Sequence, residues 1–149
     1  MEESVKAAVG FTEAYQEVLG IGKTDPAMYS PLALAYVGDG VYELMIRAKV
    51  ISQGNRQVNK MHKKSTSLVK AQTQASMMRL LEPELTEDER AVFKRGRNAK
   101  SMTAAKNATI IDYRMATGFE ALVGYLYLSE RFERLAQLIS RGLEKIGEA

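Results

Sequence analysis

The chain has no cysteine and a single histidine, His62, among its 149 residues. Without a thiol there is no disulfide framework, no thiolate metal site and no cysteine nucleophile. One histidine excludes a multi-histidine zinc site built within one chain. No apolar run approaches the ~20 residues that span a bilayer, and the N-terminus lacks a signal-peptide pattern. The expectation is a soluble, cytoplasmic protein with no membrane partner. Proline is scarce: only Pro26, Pro31 and Pro83 occur, each where a helix can begin. What is present is apolar mass. With 46% of residues hydrophobic, a chain of this length supports one packed core rather than disorder.

A net charge of +3 hides an uneven distribution. Residues 1–45 hold two basic and seven acidic residues. Residues 46–79 hold eight basic residues, Arg47, Lys49, Arg56, Lys60, Lys63, Lys64, Lys70 and Arg79, and no acid. A second acid-free stretch runs from Arg90 through Lys94, Arg95, Arg97 and Lys100 to Lys106. Two such stretches in one small domain suit a polyanion, most simply nucleic acid. A solvated basic surface is the plainer alternative.

The periodicity predicts an all-α chain. A first helix is expected over residues 4–19, followed by a Gly20–Pro26 linker. Ser30-Pro31 reads as N-cap and first helical residue of a helix running to about Ile51. That helix is apolar nearly all round and is expected to be central and buried. Residues 59–81 alternate cationic and apolar positions at helical spacing. Thr86 and Glu89 form a capping box for a helix ending near Lys94. Residues 96–103 read as an exposed basic loop. A last helical block spans about 107–146, with Ser129 as a cap for its final helix. No β-alternating run, repeat or low-complexity tract appears. Residues 1–28 read as an N-terminal extension, partly helical, and 29–149 as the main domain.

Two carboxylates stand out, because each sits in one of the two most apolar helices. Asp39 lies in Leu32-Ala-Leu-Ala-Tyr-Val-Gly-Asp-Gly-Val-Tyr-Glu43, and Glu120 in Ala116-Thr-Gly-Phe-Glu-Ala-Leu-Val-Gly-Tyr-Leu-Tyr-Leu128. A carboxylate on a core helix is costly unless it is paired or holds a metal. The structural alternative is an ion pair with Arg47 or Arg114. Oxygen ligands from two helices can hold Mg²⁺, which keeps several waters and needs only one or two carboxylates. Mg²⁺ activates a bound water toward a phosphodiester. Beside basic segments, the pair points to a metal-dependent phosphodiesterase acting on nucleic acid. Glu43 lies four residues before Arg47 and reads as its helical ion-pair partner.

These residues resemble the ribonuclease III family. Val37-Gly38-Asp39-Gly40-Val41 looks like the core of its signature, which usually ends Leu-Gly-Asp-Ala-Val. Phe119-Glu120-Ala121-Leu122-Val123-Gly124 looks like its second acidic motif, about 80 residues on. His62-Lys-Lys-Ser65, Lys94-Arg-Gly-Arg-Asn-Ala-Lys-Ser101 and Tyr113-Arg-Met-Ala-Thr-Gly-Phe-Glu120 resemble the Mini-ribonuclease III subfamily, a catalytic domain without a double-stranded-RNA-binding domain. The resemblance covers roughly residues 31–145. It implies an all-α endonuclease fold that forms a homodimeric helical bundle, with Asp39 and Glu120 as catalytic residues and Mg²⁺ ligands. It implies cleavage of double-stranded RNA to 5′-phosphate and 3′-hydroxyl ends, and a role in maturing the 23S ribosomal RNA precursor, with a ribosomal protein as a candidate partner. His62, Lys63, Lys64, Ser65, Lys94, Arg95, Arg97, Asn98 and Lys100 are the candidate RNA contacts. Ribonuclease III carries further carboxylates where this chain has Ala35 and Thr117, so the expected site is reduced to two. The alternative is an inactive RNA-binding or ribosome-associated module of the same fold. Tyr36, Tyr42, Met45, Tyr125 and Tyr127 are candidates for either the dimer interface or the core.

Overall fold

Ser30 and Pro31 start the longest helix as expected: the Ser30 hydroxyl accepts from the Ala33 N–H at 3.1 Å, and Pro31 occupies the first turn. The computed structural model describes residues 10–55, 57–100 and 109–148, and every regular element among them is helical. These are α1 (Phe11–Leu19), α2 (Pro31–Ser52), α3 (Val58–Val69), α4 (Ala71–Leu81), α5 (Glu87–Asn98), α6 (Ile110–Leu128) and α7 (Phe132–Lys145). Short 3₁₀ turns cover Pro26–Met28 and Glu82–Glu84. Residues 1–9, with the start of the expected first helix, Arg56, residues 101–108, with Ser101, Lys106 and the expected helix start at Asn107, and Ala149 lie outside the described residues.

α6 is the axis of the fold. It packs on α2, α4, α5 and α7, and it is apolar on every side because it is surrounded. Phe119, Leu122 and Leu126 of α6 meet Tyr42 and Ile46 of α2, Met77, Met78 and Leu81 of α4, and Leu138 and Ile139 of α7. The Tyr42 ring meets Phe119 edge-on at 5.1 Å between centroids. Its buried hydroxyl donates to the Leu68 carbonyl at 2.8 Å, so Tyr42 belongs to the core.

Four expectations change. α2 is buried along one face only: Leu34, Ala35, Tyr42, Ile46 and Val50 face the core, whereas Leu32, Tyr36, Leu44 and Ile51 are exposed. Its all-round apolarity therefore marks a second, open apolar face. The 59–81 stretch is two helices, turning at Lys70, whose backbone is extended. Side chains make this corner: Thr73 donates to the Ser67 carbonyl at 2.6 Å, and Gln74 Nε2 donates to the Val69 carbonyl at 2.9 Å, meeting acceptors that a helix end leaves open. α5 does not end at Lys94 but continues to Asn98, because Gly96 packs directly on α6; a Cβ there would lie 2.9 Å from Gly118 Cα. Ser129 is not the N-cap of α7. It closes α6, and the reversal also uses Glu130, with φ 58°, and Arg131 before α7 begins.

The Thr86–Glu89 capping box is present, with both reciprocal bonds formed. Glu89 is 2% exposed and also binds Arg134 of α7 through two bonds of 2.8 Å. One carboxylate thus starts α5 and ties it to α7.

Candidate active site

The site follows from a helix crossing that only glycine allows. A Cβ on Gly38 would lie 1.8 Å from the Glu120 carbonyl oxygen, and one on Gly124 would lie 2.0 Å from the Leu34 carbonyl oxygen. α2 and α6 therefore touch backbone to backbone. Asp39 is the residue after Gly38, and Glu120 lies one turn before Gly124. The crossing sets the two carboxyl groups close enough for the charge of Asp39 to act on Glu120.

The two groups differ in setting. Asp39 is exposed and Glu120 is half-buried, so the expectation that both sit in the core holds for neither in full. Asp39 lies on the open side of α2, next to Gly40, where a Cβ would meet nothing. Nor do they pair with arginine. Arg47 binds Glu43 at 2.8 Å, as its i+4 position suggests, Arg114 is exposed, and neither Asp39 nor Glu120 forms an ion pair among the described residues. The Glu120 carboxyl is pushed up to about 9, first by burial and then by the hydrogen bond and charge of Asp39. A hydrogen bond from the Gln74 side chain acts in the opposite direction.

This donor set fits a hard divalent cation. It offers oxygen only, it is anionic when both groups ionise, and it lacks a cationic partner among the described residues. Among those residues no group of three or more acidic or histidine side chains forms a larger cluster. Asp39 and Glu120 are the two side chains that would hold such an ion. Ala35 and Thr117 are 7% and 8% exposed, and the Thr117 hydroxyl donates to the Tyr113 carbonyl of its own helix at 2.9 Å.

The basic end of α5 lies beside this pair. A Cβ on Gly96 would sit 2.7 Å from that of Ala121, the neighbour of Glu120. Lys94, Arg95, Asn98 and Lys100 are exposed around this contact. Arg97 is half-buried: its guanidinium lies over the Phe93 ring at 5.6 Å, and its Nε donates to Asn98 Oδ1 at 3.2 Å. Asn98 thus helps to order its own turn. The α3 group is less uniform. His62 and Lys63 are exposed, Lys64 binds Glu148 at 2.5 Å, and Ser65 is 7% exposed. Gln74 of α4, whose amide bonds the Val69 carbonyl at the α3–α4 corner, was not anticipated. Its only sequence signal is a polar residue on the apolar stripe of Leu68, Ala71, Ala75 and Met78.

The ribonuclease III domain pattern matches residues 32–131. The chain belongs to the ribonuclease III family and is an endoribonuclease with that family's all-helical fold. Within the family it stands with the proteins called Mini-ribonuclease 3. It is 52% identical to the one from Clostridium tetani over 118 residues, 78% of each chain. It is 51% identical to the one from Enterococcus faecalis, over 78% of this chain and 90% of the relative. It is 42% identical to the one from a Thermoanaerobacter species over 143 residues, 96% of this chain and 99% of the relative. The crystal structure of a Fusobacterium nucleatum protein, 28% identical, matches with a TM-score of 0.74 over 82% of this chain and 98% of that one.

Proposed function

We propose that the chain is a Mg²⁺-dependent endoribonuclease that cleaves double-stranded RNA as a homodimer, leaves 5′-phosphate and 3′-hydroxyl ends, and acts on the 23S ribosomal RNA precursor. The observation that carries this reading is the glycine crossing of α2 and α6, which sets Asp39 beside Glu120, two carboxyl groups without a cationic partner among the described residues, next to a basic helix end. When bound, Mg²⁺ supplies an activated water and offsets charge on the scissile phosphate. Asp39, exposed, faces the substrate side. Glu120 is fixed behind it by the helix crossing. Lys94, Arg95 and Lys100 contact phosphates, so that A-form RNA is recognised by shape and backbone rather than by base sequence. His62 and Lys63, exposed on α3, are further RNA contacts in this reading.

The test is cleavage of a long RNA duplex with Mg²⁺ by the wild type and by Asp39→Asn, with duplex binding followed in parallel. The wild type is expected to cut. Asp39→Asn is expected to bind with similar affinity and to cut on the order of a thousandfold more slowly, the effect of several kcal/mol of lost metal assistance. Binding by both proteins with cleavage by neither would make the chain an inactive RNA-binding module.

A further inference from the structure

Two kinds of contact hold arginine guanidinium groups among the described residues. Arg47, Arg79, Arg90, Arg134 and Arg141 each donate to a carboxylate or carbonyl of the fold. Arg97 and Arg131 instead lie over aromatic rings, Phe93 and Tyr125, each 5.6 Å from the ring centroid. A ring face holds an arginine without using its N–H groups. Arg97 still uses its Nε on Asn98. Arg131 is exposed, and its side-chain donors meet no acceptor among the described residues.

The end of α6 puts Arg131 there. Glu130 takes φ 58°, and the Arg131 N–H bonds back to the Leu126 carbonyl at 2.9 Å. The chain doubles back, and the arginine side chain falls on the ring of Tyr125, six residues before it. Tyr125 in turn packs against the cluster of Leu34 and Ala35 of α2, Val92 of α5 and Ala121 of α6. Ala35 lies one helical turn before Asp39, and Ala121 is the neighbour of Glu120. The platform under Arg131 is therefore built on the same helix contact as the carboxylate pair. An exposed guanidinium held in place with its fork of donors free matches a phosphate, which it binds through two parallel bonds. Arg131 belongs to neither acid-free stretch; it stands between Glu130 and Glu133, so local charge does not single it out. We propose that Arg131 is a further phosphate contact for the RNA duplex at the edge of the carboxylate pair, with Tyr125 as the positioning residue that holds its guanidinium. The proposal rests on the reading of the chain as a nuclease for double-stranded RNA.

The test compares the full wild-type chain with Arg131→Ala, Arg131→Lys, Tyr125→Leu and Tyr125→Phe, each checked for helix content and melting temperature. Binding of a long RNA duplex is titrated in Ca²⁺ over a range of salt concentrations, and cleavage kinetics are measured in Mg²⁺. Arg131→Ala is expected to weaken binding on the order of tenfold, the effect of losing one charged hydrogen-bonded pair. The slope of log K against log salt should become shallower by about one for each copy of the chain on the duplex. The loss should appear in KM with kcat kept, because nothing at the reacting phosphodiester is removed. Arg131→Lys keeps the charge without the planar fork, so it should restore the salt slope but only part of the affinity. Tyr125→Leu should bind a few-fold more weakly although no charge is lost, and Tyr125→Phe, which keeps the ring, should bind as wild type does. If Arg131→Ala keeps wild-type affinity and salt slope, Arg131 is a surface arginine only. If Tyr125→Leu matches wild type, or Tyr125→Phe is as weak as Tyr125→Leu, the ring does not position Arg131. A wild type that neither binds nor cuts the duplex would remove the nuclease reading itself, and this contact with it.

Discussion

Two glutamates in this protein are shifted in opposite directions, and their neighbours explain why. Glu120 is raised to about 9 by burial and by Asp39. Glu89, though only 2% exposed, is lowered, first by its bonds from Arg134. Each shift is a statement about stability. The proton on Glu120 binds the folded state more tightly than the unfolded one. Its contribution is complete below the ordinary carboxylate value of 4.5 and is lost as pH rises toward about 9. In EDTA, therefore, the melting temperature should fall between pH 5 and pH 9, and Glu120→Gln should flatten that decline. An equally steep decline in Glu120→Gln would remove Glu120 as its source. Glu89 works the other way: its contribution is present above 4.5 and is lost as pH falls through its lowered value. Arg134→Met leaves a buried carboxylate held only by the Thr86 cap. It should cost about 2–3 kcal/mol in urea unfolding at pH 7, below the range for wholly buried pairs because Arg134 is partly exposed. The loss should shrink toward pH 3; a loss independent of pH would point to packing by the arginine stem instead.

At the scale of elements, the helix contacts that set the site depend on glycine. Gly38→Ala drives a methyl group into the Glu120 carbonyl, and helix backbones cannot yield as a side chain can. The variant should lose at least ~3 kcal/mol of stability and open the Asp39–Glu120 contact. Gly40→Ala, two residues on, meets nothing and should gain up to ~1 kcal/mol from helix propensity. Urea denaturation of the pair checks both, and equal effects would refute the crossing. The same contacts explain which features are legible in the sequence. Helix starts were legible because caps are local: Ser30 with Pro31, and Thr86 with Glu89. The α3–α4 corner was not, because Lys70 carries no turn signal and the bend is held by Thr73 and Gln74 from the next helix. The continuation of α5 through Gly96 was hidden because that glycine has meaning only against Gly118. Asp39 and Glu120 were legible as two charges in apolar helices, but their contact is a property of the α2–α6 crossing. Gln74 carries no charge to stand out, and its bond to the Val69 carbonyl exists only at the folded corner.

At the scale of the molecule, the open face of α2 remains to be accounted for. Tyr36 is 84% exposed and Leu44 63% exposed. Beside them, Val37, Gly40, Val41, Leu44 and Met45 line an apolar groove whose other wall includes Phe11 and Tyr15 of α1. Tyr15 reaches across it to hydrogen-bond the Tyr127 hydroxyl, so α1 borders this face while leaving Tyr36 free. A contiguous apolar face of this kind marks an interaction surface, and a second copy of the chain is the partner that the homodimer reading requires. A two-fold contact is self-complementary, so each residue on it counts twice. If burying one such side chain yields about 1.5–3 kcal/mol, changing Tyr36 removes roughly twice that and buries two like charges in its place when the new residue is glutamate. Tyr36→Glu should therefore weaken association by on the order of a thousandfold or more. In sedimentation equilibrium at micromolar concentration the wild type should be dimeric and Tyr36→Glu monomeric with unchanged helix content. Asp39 is three residues from Tyr36 on the same helix, so this apolar face and the carboxylate pair share one edge. Duplex cleavage should thus fall with dimerisation even though no ligand has been touched. A Tyr36→Glu variant that stays dimeric, or a wild type that sediments as a monomer, would assign this face to another partner.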